Sequence, residues 1–219
     1  MNKLIKEILI TFTEDLLGSA SGNKEIHEEF IASKAETTTM SKEETEAIPL
    51  NEKLEKASTI FPRDRDGGLI LWDYQIRGTL KSAIESLIDL GEVTEVSKYS
   101  YKKAVDKLLF VKPRKIPILD VMGNQYKDAK GWLERPLRAD TMKGERIALA
   151  RSEVLPAGTQ IKVIIELFLS SNKKSKVKIE PESLIKALDY GEYSGVGQWR
   201  SGGYGRYKWE EIPSEVKAT

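Results

Sequence analysis

The stretch Gly191–Tyr207, GEYSGVGQWRSGGYGRY, sets the tightest limit on what this chain can fold into. Six of its seventeen residues are glycine, and glycine admits positive φ and lets backbone come close to a ligand. The stretch therefore reads as a loop, placed between a helix near 181–190 and a last strand over 204–212. Between the glycines stand Tyr193, Trp199, Arg200, Tyr204 and Arg206, and Tyr207 closes the run. Successive N–H groups in such a loop can form an anion-binding concavity. Aromatic and guanidinium planes can stack on bases. A tight hairpin whose aromatics pack on a sheet would carry the same residues.

The rest of the chain supplies strands and helices in an α+β order. LIKEILITFT (4–13) reads as a strand, and its early place suggests a central one. A loop and a short helix near 24–34 follow, then a polar Glu/Lys/Thr-rich run over 36–58 that reads as a helical or mobile insertion. Thr59–Pro62 is a short extended piece, PRDRDGG a turn and GLILWDY (68–74) a short strand. The helix over 78–90 has Leu80, Ala83, Ile84, Leu87 and Ile88 on one face, with Gly91 as its stop. A short helix over 98–107 and a proline-broken strand over 108–118 come next. A hairpin lies within 133–158, turning at 141–144. TQIKVIIELFLS (159–170) is the strongest strand, and Pro181 fits the first turn of the last helix. Strand, helix, strands, helix, strand can be folded as a βαββαβ ferredoxin-like unit with elaborations. One domain is expected, because no Pro/Ser/Gly linker divides the chain.

Lysine and arginine number 35 against 34 acids, so the net charge is +1. A global basic field is absent, and any nucleic-acid surface must be local. There is no cysteine, which excludes disulfides and thiolate metal sites and fits a reducing cytoplasm. The first run, MNKLIKEILITFTED, carries Lys3, Lys6 and Glu7 and is neither a signal core nor a membrane span. A soluble protein of the cytoplasm is expected.

IRGTLKSAIESL resembles the Gly-Ser/Thr-x-Lys-Gly-x-Leu/Ile-Arg segment that opens a helix in the CRISPR-associated RAMP superfamily. Ser82 stands where that segment often has glycine, and Glu85 where arginine is frequent. GVGQWRSGGYGRY resembles the glycine-rich loop of the same superfamily. The runs LLGSASGNKEIHEEFIASKA, FPRD, ERPLRADTMKGERIALARSE and LDYGEYSGVGQWRSGGYGRYKWEEI resemble a group of bacteriophage and prophage proteins. The resemblance implies an elaborated ferredoxin-like antiparallel sheet with helices on one face, in a phage protein of the bacterial host cytoplasm. It also implies RNA binding, and it allows repeated subunits to assemble along a strand.

The candidate ligand contacts fall in three places. Gly78, Thr79 and Lys81 stand at the expected helix start, beside Arg77, where free N–H groups attract phosphate; a plain helix cap with Thr79 would look alike. Residues 98–117 hold Lys98, Lys102, Lys103, Lys107, Lys112, Arg114 and Lys115 against Asp106, with Tyr99 and Tyr101 interleaved. Phosphate contact would use them, and a solvated helix face would carry them equally. The loop adds Gly195, Gly197, Trp199, Arg200, Gly202, Gly203, Tyr204 and Arg206. Arg135, Arg138, Arg146 and Arg151 flank the hairpin among Glu134, Asp140, Glu145 and Glu153, which reads first as ion pairing.

His27 is the one histidine. It suits a general acid or base near neutral pH, and lies among Glu25, Glu28 and Glu29 as a surface residue would. Lys24, Tyr204 or Tyr207 would assist it. Adjacent Glu14 and Asp15 would point to opposite faces of a continuing strand. No metal site or cofactor is expected. The leading expectation is a non-catalytic binder of RNA or single-stranded DNA. The alternatives are a small- or cyclic-nucleotide binder that sequesters a bacterial immune signal, a metal-independent RNA endonuclease, and an assembly protein without nucleotide.

Overall fold

The structure is a computed structural model that describes residues 2–21, 58–141, 144–172, 175 and 177–213. The short helix expected near 24–34, most of the insertion at 24–58, and with them Lys24 and His27, lie outside the described residues.

In chain order the elements are β1 (Lys3–Phe12), β2 (Leu16–Leu17), β3 (Ala20–Ser21), β4 (Ser58–Ile60), β5 (Ile70–Trp72), α1 (Asp73–Asp89), α2 (Tyr101–Leu108) and β6 (Leu109–Lys112). They continue with β7 (Lys115–Pro117), β8 (Gly131–Thr141), β9 (Gly144–Leu155), β10 (Gln160–Phe168), α3 (Pro181–Ser194), a 3-10 turn at Arg200–Gly202, and β11 (Tyr207–Glu211). The fold is α+β.

The first strand is central. β1 pairs antiparallel with β10 on one side and β11 on the other, and β10 pairs with β6, giving the order β11-β1-β10-β6. Alternation decides which face is buried. Ile8, Ile10 and Phe12 of β1 lie with Ile161, Val163, Ile165 and Leu167 of β10 in one apolar core. Leu80 and Ile84 of α1 and Leu184 and Leu188 of α3 join the same core. The opposite face carries exposed Lys3, Ile5, Glu7 and Phe110. A second sheet runs β2-β9-β4-β3 with β8 alongside β9, and β5 pairs with β7.

Several boundaries differ from the sequence reading. α1 starts at Asp73, not at 78. The Gln75 Oε1 accepts from the Trp72 N–H at 2.8 Å and anchors the true start, and Ile76 extends the apolar stripe one turn back from Leu80. Gly78 is exposed inside the helix, a cost of about 1 kcal/mol that the buried stripe outweighs. At the other end Gly91 has φ 77. Its N–H reaches the Ile88 carbonyl at 3.0 Å and that of Glu92 reaches Leu87 at 2.9 Å, a Schellman stop.

α3 runs on to Ser194, four residues past its expected end, because Gly191 is part of the helix and not of the loop. The proline-broken strand is two strands in two different sheets, β6 and β7, divided at a cis Lys112–Pro113 bond. The hairpin is present as β8 and β9, with Thr141 opposite Gly144.

Candidate functional site

The glycine-rich loop begins at Gly195 and is folded on itself. Val196 N–H donates to the Gly205 carbonyl at 2.9 Å, and Gly205 N–H donates to the Asp15 carbonyl at 2.9 Å. A side chain on Gly205 would place its Cβ 1.9 Å from the Val196 carbonyl oxygen. At that position glycine is required both by φ, 68°, and by space. The loop is thus a rigid clasp between the end of α3 and the bend after β1.

The clasp presents a pair of rings. Trp199 and Tyr204 stack with centroids 5.0 Å apart and planes 18° apart. Gly202 lies against the indole, since a Cβ there would sit 2.7 Å from the Trp199 Cε2. Among the described residues Trp199 is the one non-glycine with positive φ, at 49°. L-residues with large side chains avoid that region, and such strain clusters at ligand sites. Trp199 is 38% exposed, and Arg200 and Arg206 beside it are exposed.

Arg135 approaches this pair from β8. Its Cζ lies 4.6 Å from the Trp199 ring centroid, a cation–π contact. The residue is 8% exposed, and its Nε and Nη1 are buried without a hydrogen-bond partner among the described residues. Burial pushes the guanidinium down from its ordinary pKa. The sequence reading placed Arg135 among ion pairs. That holds for Arg151, whose Nε is 3.3 Å from Glu134, but not for Arg135. Neighbours on a strand point to opposite faces, so Glu134 was never available to it, and Ala150 stands opposite across β9. The period of two was the signal that could have singled Arg135 out. The side chains of Arg138 and Arg146 lie outside the described residues.

A cleft of about 370 Å³ adjoins the loop, lined by Glu14, Asp15, Gly202, Gly203, Tyr204 and Arg206. Glu14 and Asp15 are not on a continuing strand: β1 ends at Phe12, and both residues line the same cleft. Asp15 Oδ1 accepts from the Ala157 N–H at 3.2 Å. Among the described residues no group of three or more His, Cys, Asp or Glu is placed to hold a metal ion, and no helix is long and apolar enough to cross a membrane.

The other expected contacts part company. Gly78, Thr79 and Lys81 are not at a helix start, so their N–H groups are taken by the helix itself and the phosphate site expected there does not form. Thr79 is buried instead, its hydroxyl 3.2 Å from the Gln75 carbonyl of its own helix and 3.5 Å from the Gly195 carbonyl at the start of the clasp. Lys81 pairs with Asp106, and Arg77 is half-buried on α1. In the 98–117 run, Lys98 pairs with Asp89 at 2.7 Å and Lys112 with Glu166 at 3.1 Å. The Tyr101 ring is core, not a stacking platform. Lys102 and Lys103 are exposed on α2. Arg114 and Lys115 lie over Trp72, at 5.3 and 5.8 Å. α2 leads into β6 at the opposite sheet edge from β11, so the basic run and the clasp serve opposite ends of the sheet order.

No protein-family model matches the chain, and no curated protein matches it.

Proposed function

We propose that this is a RAMP-like, non-catalytic protein that binds single-stranded nucleic acid at the glycine-rich clasp. The observation that carries the reading is the stacked Trp199–Tyr204 pair, held by glycine backbone and flanked by the exposed Arg200 and Arg206. Rings of that kind offer a base a sequence-tolerant platform, and guanidinium groups meet the adjoining phosphates. The strand order β11-β1-β10-β6, with α1 and α3 over one face, supports a ferredoxin-like assignment, because a βαββαβ unit arranges its strands last, first, third, second. The phage setting and the host cytoplasm rest on the resemblance of the quoted runs.

The test is a titration of labelled single-stranded RNA and DNA oligonucleotides at rising salt. Binding at low salt that weakens as salt rises is expected, because each neutralised phosphate releases counterions. No binding to either polymer at low salt overturns the reading.

The cleft beside Tyr204 favours a second reading, a small-nucleotide binder. Calorimetry with mono- and cyclic nucleotides distinguishes it, since an enclosed ligand would show tight binding with weak salt dependence. No heat with any of them removes it.

A further inference from the structure

We infer that Arg135 is the receptor for a terminal phosphate, the phosphomonoester end of a strand or of a nucleotide, and not for an internal phosphodiester. This deepens the clasp reading and rests on it for the neighbouring base.

Arg135 is nine-tenths buried, with Nε and Nη1 lacking acceptors among the described residues. A buried cation without a counter-charge is strongly disfavoured. The indole of Trp199 meets the face of the guanidinium at 4.6 Å but supplies nothing to its edge N–H groups. Those N–H groups need an acceptor, and guanidinium geometry matches the oxygens of phosphate.

Burial and charge select the chain end. Arg135 lies in the seam between β8 and the clasp, next to Ala150 and Ser152 of β9, which are also buried. An internal phosphodiester continues in both directions and would need that seam open on two sides. A terminal phosphate enters from one side, presents three free oxygens and carries close to two charges near neutral pH, so it offsets more of the buried cation. Trp199 lies over the guanidinium, and the Trp199–Tyr204 pair beside it would take the terminal base.

The experiment compares one oligonucleotide sequence in three forms, with a 5′-phosphate, with a 3′-phosphate and with hydroxyls at both ends, together with adenosine 5′-monophosphate. Each is titrated into the wild-type chain and into Arg135→Leu. Leucine removes the charge and keeps an apolar fill, and melting of the variant reports whether it folds. One phosphorylated end is expected to bind about tenfold tighter than hydroxyl ends, and Arg135→Leu to lose that preference. Equal wild-type affinity for all three strands overturns the inference and leaves the clasp reading standing. Binding of the mononucleotide through Arg135 with no strand binding keeps the inference and overturns the polymer reading. Absence of all binding overturns both. The wild-type comparison needs no variant, so a failure of Arg135→Leu to fold does not remove the test.

Discussion

Gly191 and Tyr207 share one space. A Cβ on Gly191 would lie 2.0 Å from the Tyr207 hydroxyl oxygen, which itself donates to the Leu188 carbonyl at 3.3 Å. The last helix and the last strand therefore meet where only hydrogen fits on one side. Gly191→Ala is expected to destabilise the fold by about 2 kcal/mol through overpacking. Tyr207→Phe should cost about 1 kcal/mol for the buried hydrogen bond. The double variant should be less damaged than the sum, since Phe vacates the oxygen that Ala meets. A denaturant-based double-mutant cycle measures the coupling. Strict additivity would show that the two positions do not meet.

The clasp depends on Gly205 more than on the exposed glycines. Gly205→Ala meets the Val196 carbonyl at 1.9 Å in a backbone conformation unfavourable to alanine. A loss of about 2 kcal/mol or more is expected, together with a changed near-ultraviolet circular dichroism signal from Trp199 and Tyr204. Gly78→Ala is the contrast. Gly78 is exposed on α1 with no atom near its added Cβ, so a gain of about 0.5–1 kcal/mol is expected.

Trp199→Ala should weaken oligonucleotide binding by about 1–3 kcal/mol, the range for one base on one ring. Trp199→Phe should keep part of that affinity. Polarisation titrations with a short labelled strand measure both. Unchanged affinity in Trp199→Ala would move the contact away from the clasp.

Glu166 lies on the open sheet face between two lysines. Lys112 and Lys3, each at 3.1 Å, hold its carboxyl below the ordinary value. A folded pKa below the unfolded one adds stability at pH above the unfolded value, about 4.3. That stability is lost as pH falls through the folded pKa. Glu166→Gln should therefore be less stable than wild type near neutrality, with the gap closing in acid. Urea midpoints measured across that pH range are the check. A gap that stays constant would show that Glu166 acts by packing and not by charge.

β1 and β10 were legible from their density of apolar and β-branched residues, which needs no knowledge of the partner strand. Alternation was only partial, since Ile5 is exposed and Lys6 shares the face of buried Ile8 and Ile10. The stripe of α1 and the stop at Gly91 were legible for the same local reason. The helix starts and ends that were misplaced depended on remote or side-chain partners. The Gln75 side chain caps Trp72, and Tyr207 fills the space that a side chain at Gly191 would need.

The sequence by itself determined the α+β order, the central first strand, and a glycine-rich loop carrying Trp199, Tyr204, Arg200 and Arg206 between the last helix and the last strand. These follow from periodicity and from glycine's backbone freedom, which are properties of adjacent residues. Only the tertiary structure decided which charges are satisfied. It paired Lys98, Lys112 and Lys81 with acids, buried Thr79 inside α1 beside Gly195, and brought Arg135 from β8 onto Trp199 with no acid among the described residues to meet it. Charge pairing and burial are set by residues far apart in the chain, and a linear pattern carries no measure of that distance.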